Sequence, residues 1–240
     1  MDPLRDSPWN APEMVAGFAN SAPNETLMAF AAQRLAGGRR VAIDIGCGAG
    51  RNLIPLARQG WTAAGVDLSS AMLERAAARI REETVAHRAS VALAAMDALP
   101  FANQSADLVV AHGVWNLARS STEFRRAARE AARISRDGAA LFVFTFSRHT
   151  VPPDAAPVPG EAFVFTEFSG HPQCFLTQDQ LVSELANAGF ERDASVPLTE
   201  HNVPRPGTIV MARAPVIWEA VFRRSVASGR ERPDRSDRRR

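Results

Sequence analysis

Val41-Ala42-Ile43-Asp44-Ile45-Gly46-Cys47-Gly48-Ala49-Gly50 sets the frame for the rest of the chain. A short aliphatic run that ends in glycines at every second position reads as a strand entering a tight loop. Glycines at 46, 48 and 50 let the backbone turn sharply, turn its N–H groups outward and approach a ligand with no Cβ in between. Such a loop suits a nucleotide-like ligand, although glycine-rich turns follow strands in many folds. In the dinucleotide fingerprint G-x-G-x-x-G the third glycine would stand at position 51, which is Arg51. Asp44 at the strand end would oppose a pyrophosphate dianion, whereas an acid there suits a ligand that carries an amino group.

Outward from this loop, short apolar runs alternate with longer alanine-rich amphipathic segments, the pattern of a doubly wound, mostly parallel α/β sheet covered by helices on both faces. Further strands are expected at 62–66, 90–94, 106–111, 139–146 and 208–212. Helices are expected at 52–59, 69–83, 122–135 and 177–187, with Ser69, Ser121 and Thr177 as start signals and Gly189 as a stop. One domain spans 24–213, interrupted by a Pro- and aromatic-rich insertion at 147–175 that is long for a connection. Residues 1–23, with Trp9, Phe18 and four prolines, read as a cap or as a leader. Residues 214–228 read as a C-terminal helix, and 229–240 as a disordered charged tail.

Composition removes several classes. The 240 residues contain neither Lys nor Tyr, so a Walker A loop, a pyridoxal phosphate Schiff base and Tyr-Lys dehydrogenase chemistry all lack an essential group. Cys47 and Cys174 have no partner at metal-ligand spacing, which gives no support to a disulfide framework or metal site and points to a reducing, cytoplasmic setting. No run is long enough to span a bilayer. The formal charge of +2 misleads, because residues 223–240 hold eight arginines against three acids, leaving 20 basic and 23 acidic residues elsewhere. The tail carries interleaved acids and no aromatics, so a solubilising role is preferred and a nucleic-acid arm is disfavoured.

With its spaced features taken together, residues 41–212 resemble the class I S-adenosylmethionine-dependent methyltransferases. The resemblance implies a seven-stranded Rossmann-like sheet and S-adenosylmethionine as methyl donor, leaving S-adenosylhomocysteine, with no metal. It places Asp44, Gly46, Cys47, Gly48, Gly50 and Asn52 around the cofactor. It assigns Asp67, which ends the second strand, to the ribose hydroxyls, since a carboxylate accepts two hydrogen bonds. Leu68 would pack on the adenine, and Asp97, with Ala98, would form the adenine turn in Met96-Asp97-Ala98-Leu99-Pro100-Phe101. The stretch Gly50-Arg51-Asn52-Leu53 with Gln59-Gly60-Trp61 is most similar to small-molecule enzymes of the tellurite-resistance type.

The fourth strand, 105–112 in this resemblance, ends at the methyl-transfer site. His112 is then either a general base or a cofactor contact, the contact being preferred. His149 also stands at the sheet's carboxyl edge, where it competes with a simple loop histidine. Trp9, Phe18, Trp115, Asn116, His149 and Phe165 are candidate pocket residues; the insertion aromatics Phe163, Phe165 and Phe168 either line a pocket or merely pack. Cys47 reads as loop packing. The expected reaction is methyl transfer to a small acceptor, the alternatives being an RNA or protein substrate or a non-catalytic cofactor-binding protein. Acceptor atom and oligomeric state carry no sequence code.

Overall fold

The computed structural model describes residues 7–38, 40–203 and 214–226. The expected strand at 208–212 and the charged tail lie outside the described residues. The parallel strands are β1 (Val41–Ile45), β2 (Thr62–Asp67), β3 (Ala89–Leu93), β4 (Ala106–His112) and β5 (Ser135–Phe146). Helices α1 (Pro12–Asn20) and α2 (Glu25–Ala36) precede them, while α3 (Leu53–Gln59), α4 (Ser70–Glu82) and α5 (Ser121–Ile134) connect them.

Beyond β5 the insertion contributes the ribbon β6 (Val164–Phe165) and β7 (Gln173–Cys174), which pair antiparallel. The chain continues through α6 (Gln178–Asn187), β8 (Phe190–Arg192), β9 (Thr199–His201) and β10 (Ile217–Arg224). The main sheet runs β3-β2-β1-β4-β5-β10-β8, with β9 added beside β10. The order reverses between β1 and β4, so the carboxyl ends of these two strands border the crevice where open α/β sheets take ligands.

The expected C-terminal helix at 214–228 is instead strand β10. Apart from Glu219, Ile217-Trp218-Glu219-Ala220-Val221-Phe222 is apolar on both alternating faces, and all six residues are buried. A strand paired on both sides, to β5 and β8, reads as a continuous apolar run whose period does not separate it from a helix.

Both faces of the sheet are covered. One carries Ile43, Val109 and Leu141 against Phe124, Ala127 and Ala131 of α5 and Leu181 of α6. The other carries Ala42, Val110 and Phe142 against Leu27, Phe30, Leu53 and Leu56 of α2 and α3. Alanines on α5 allow close helix-to-sheet approach, and its apolar face is sharply segregated from its Arg and Glu face. Its N-cap is Ser120, whose Oγ accepts from the Glu123 N–H at 3.1 Å. The expected cap, Ser121, is the first helical residue, and its N–H donates to Glu161 of the insertion at 2.8 Å. Ser69 and Thr177 cap α4 and α6 as expected, Thr177 in a full capping box with Gln180. No helix among the described residues is long and apolar enough to cross a membrane.

Candidate functional site

The loop after β1 is pinned to the end of β2. The N–H groups of Gly46 and Cys47 both donate to the Val66 carbonyl, at 2.8 and 2.9 Å. Gly46 has φ +71°, and a Cβ there would lie 2.6 Å from the Val114 side chain, so conformation and space both demand glycine. A Cβ on Gly48 would instead make ordinary van der Waals contact with Met72 Sδ at 3.8 Å and Phe18 Cδ1 at 4.0 Å. The loop and these two side chains form a small cradle. Cys47 fills the gap left by the missing side chain of Gly65: a Cβ on Gly65 would come within 2.6 Å of its Sγ. Burial pushes the Cys47 thiol well up, with Asp44 and Asp67 adding to the effect, so this cysteine packs rather than reacts.

Asp67 ties the loop to the next helix. Its Oδ2 accepts from the Gly48 N–H and its Oδ1 from the Ser69 N–H, each at 2.9 Å. Each oxygen retains a lone pair, the capacity needed to accept from a ribose diol. Asp44 is 2% exposed, and burial pushes its carboxyl up to about 7 despite the opposing charge of Arg51, with Asp67 raising it further. A carboxylate so short of compensation fits a ligand that brings an ammonium group. The loop thus sets two buried carboxylates, Asp44 and Asp67, beside one glycine turn.

Residues 8–20 cover this loop. Trp9, Val15 and Phe18 pack with Ala19, Ala49 and Met72, and the rings of Trp9 and Phe18 meet edge to face at 5.7 Å. Ser69 Oγ donates to Asn10 Oδ1, fastening the segment to the start of α4. The described part of the N-terminal segment packs against the loop and the start of α4, with Phe18 Cδ1 4.0 Å from where a Cβ on Gly48 would stand.

A polar line runs from the loop along the sheet edge. Arg51 Nη2 lies 2.8 Å from Nδ1 and 3.1 Å from Nε2 of His112. Burial, aided by the Arg51 cation, holds this imidazole down to about 3, so it is neutral at physiological pH. Its ring stacks on Phe144 at 4.0 Å. Asn24, the N-cap of α2, donates through its backbone N–H to Asn52 Oδ1 at 3.0 Å and through Nδ2 to Glu219 at 2.6 Å, and the same Nδ2 lies 3.5 Å from His112. Asn52 thus joins α2 to α3. Asn24, Glu219 and His201 were not singled out in the sequence, and Arg51 only as the residue at the missing third glycine; the available signal was Glu219, a lone acid inside an apolar run.

Asp97 follows β3 and forms an ion pair with Arg126 of α5 at 3.0 Å, while Ala98 beside it is exposed and Leu68 half-buried. Trp115 is wholly buried against Phe124, and its Nε1, like Asn116 Oδ1, has no partner among the described residues. Both lie beneath the sheet edge rather than on an open wall. Phe165 belongs to a satellite cluster with Val151 and Phe175, with the Arg148 guanidinium 4.7 Å above its ring. The insertion aromatics therefore pack. His149 is exposed and pairs with Glu200 at 2.8 Å.

Residues 42–138 match the family model described as a methyltransferase domain. A S-adenosylmethionine-dependent methyltransferase from Methanosarcina mazei superposes with a TM-score of 0.61 at 19% identity, over 78% of this chain and 93% of that one. The 1,6-didemethyltoxoflavin-N1-methyltransferase of Burkholderia thailandensis, solved with its substrate and S-adenosylhomocysteine, superposes with a TM-score of 0.60 at 17% identity, over 85% and 80%. The [4+2]-cyclase SpnF gives 0.57 at 23% identity over 73% of this chain, which spans 58% of the cyclase. At these identities the likeness is one of fold. No curated relative matches the chain in sequence.

Proposed function

We propose that this chain, whose residues 42–138 match a methyltransferase domain, takes S-adenosylmethionine as donor and methylates a small-molecule acceptor by in-line displacement. The cofactor, when bound, supplies an already activated methyl carbon, so the protein's task is to hold two reactants in line and exclude water. The observation that carries the reading is the cap. Residues 8–20 pack against the glycine loop and α4, and in this reading the reactants would meet along the edge of β4 and β5.

Asp67 would hold the ribose, Asp44 the amino group, and Asp97 with Leu68 the adenine end. Arg51, a cation resting on a neutral imidazole that is a weak partner for it, is placed to take the methionine carboxylate. His112 is kept neutral and occupied by Arg51, which favours a contact role over that of a general base. The test is incubation with methyl-labelled S-adenosylmethionine and a cell extract separated into metabolites, RNA and protein. Label in the metabolite fraction supports the reading; label confined to RNA or protein overturns it.

A further inference from the structure

Strand β10 contributes a carboxylate for which cofactor binding has no use. Glu219 is in register with Phe144 of β5, which is in register with His112 of β4. Side chains in one such row stand on the same face of a sheet. His112, Phe144 and Glu219 therefore form a shelf along the carboxyl edge, leading away from the glycine loop. His201 of β9 borders the shelf, its ring centroid 6.5 Å from that of Phe144.

Glu219 is 5% exposed. Its Oε2 accepts from Asn24 Nδ2 at 2.6 Å, and His201 Nε2 lies 3.4 Å from Oε1. That nitrogen is buried and makes no hydrogen bond among the described residues. Among those residues Glu219 has no guanidinium partner. Burying a carboxylate whose ion-pair partner among the described residues is a histidine, charged only when protonated, is costly, and Val221 on the same face would pack as well against an aliphatic side chain. A ligand that brings positive charge removes that cost. A carboxylate beside the half-buried face of an aromatic ring is the chemistry that holds an amine, through an ion pair and a cation–π contact.

We propose that Glu219, Phe144 and His201 form the acceptor subsite and that the acceptor is an amine. The proposal rests on the methyl-transfer reading and adds the substrate class. The bound ammonium first gives a proton to water; the neutral amine's lone pair then forms the new N–C bond while the C–S bond breaks and sulfur keeps that electron pair. Positive charge passes from sulfur to nitrogen, and the product ammonium, when it carries a hydrogen, returns a proton to water. Glu219 then opposes the charge that develops on nitrogen, a fixed group that is more effective in the transition state than in the ground state. An anionic acceptor is repelled by the same group.

The purified full chain is incubated with methyl-labelled S-adenosylmethionine and a metabolite extract split by ion exchange into cationic, neutral and anionic pools. The expected result is a labelled product in the cationic pool whose fragmentation places the methyl group on nitrogen. Glu219→Gln keeps the shape and an acceptor for Asn24 but removes the charge. The affinity of the identified amine for protein saturated with S-adenosylhomocysteine, measured by calorimetry, should fall by about 10- to 100-fold. The Kd for S-adenosylhomocysteine itself should stay within about twofold. If E219Q does not fold, Phe144→Leu is expected to weaken the amine alone. A labelled product only in the neutral or anionic pool overturns the amine assignment and leaves methyl transfer standing. Unchanged amine affinity in the variants overturns the subsite. No labelled product in any pool overturns the methyl-transfer reading and the proposal with it.

Discussion

Replacing Asp44 by Asn should make the cofactor-free protein more stable at the cost of cofactor affinity. In the unfolded chain this carboxyl loses its proton near pH 4, whereas burial holds it to about 7 in the native state. Between those values the native state binds more protons, so stability falls as pH rises and is lowest above 7. The displacement from 3.8 to about 7 is worth roughly 4 kcal/mol, at about 1.4 kcal/mol for each tenfold change in proton affinity. Asn removes the buried charge but leaves Arg51 without its acid, so the expected gain at pH 8 is about 2–4 kcal/mol, shrinking toward zero at pH 4.

His112 works in the opposite sense, since its native pKa of about 3 against 6.5 costs stability as pH falls below 6.5. That contribution is present in both proteins, so the difference curve isolates Asp44. Urea denaturation of wild type and D44N from pH 4.5 to 8.5 measures it. A variant that is less stable than wild type at pH 8, or a stability difference that does not change with pH, would refute the reasoning.

Asp67→Ala should raise the calorimetric Kd for S-adenosylhomocysteine by at least about 100-fold, since two charge-assisted hydrogen bonds at about 1.5–3 kcal/mol each are lost; a change under threefold would remove Asp67 from the ribose. Gly46→Ala places a Cβ 2.6 Å from Val114 at φ +71° and should destabilise the fold by roughly 2 kcal/mol or more, seen as a lower denaturation midpoint, whereas Gly48→Val should block cofactor binding with a smaller loss of stability. Phe18→Ala opens the cap over the cradle and should speed dissociation of S-adenosylhomocysteine by about tenfold in stopped-flow displacement, at about 1–2 kcal/mol of lost packing; an unchanged off-rate would mean that the cap does not close on the cofactor.

The glycine loop, Asp44, the four connecting helices and the five parallel strands were legible along the chain because each is specified by neighbouring residues: a period, a cap, a turn that needs glycine. The position of Asp67 was legible for the same reason, as the last residue of an apolar run. Trp115 misled, because an aromatic just after a strand end carries no mark of whether it turns outward or into the core, and here α5 supplies Phe124 to bury it. Strand β10 misled because burial on both faces erases the alternation that would separate strand from helix. Ser121 misled by one residue, since two consecutive serines offer the same capping chemistry and the insertion's Glu161 selects between them.

The proposed donor site is thus encoded locally: a turn, two acids and the strand ends that carry them lie within residues 41–67, and short-range sterics and hydrogen bonding suffice to arrange them. The proposed acceptor side is not. Asn24 and Glu219 meet at 2.6 Å across 195 positions, and His112, Phe144 and Glu219 share a row only because β10 returns antiparallel beside β5. Strand order and register follow from burying the whole sheet between two helical layers, a global balance that no local stretch of residues contains.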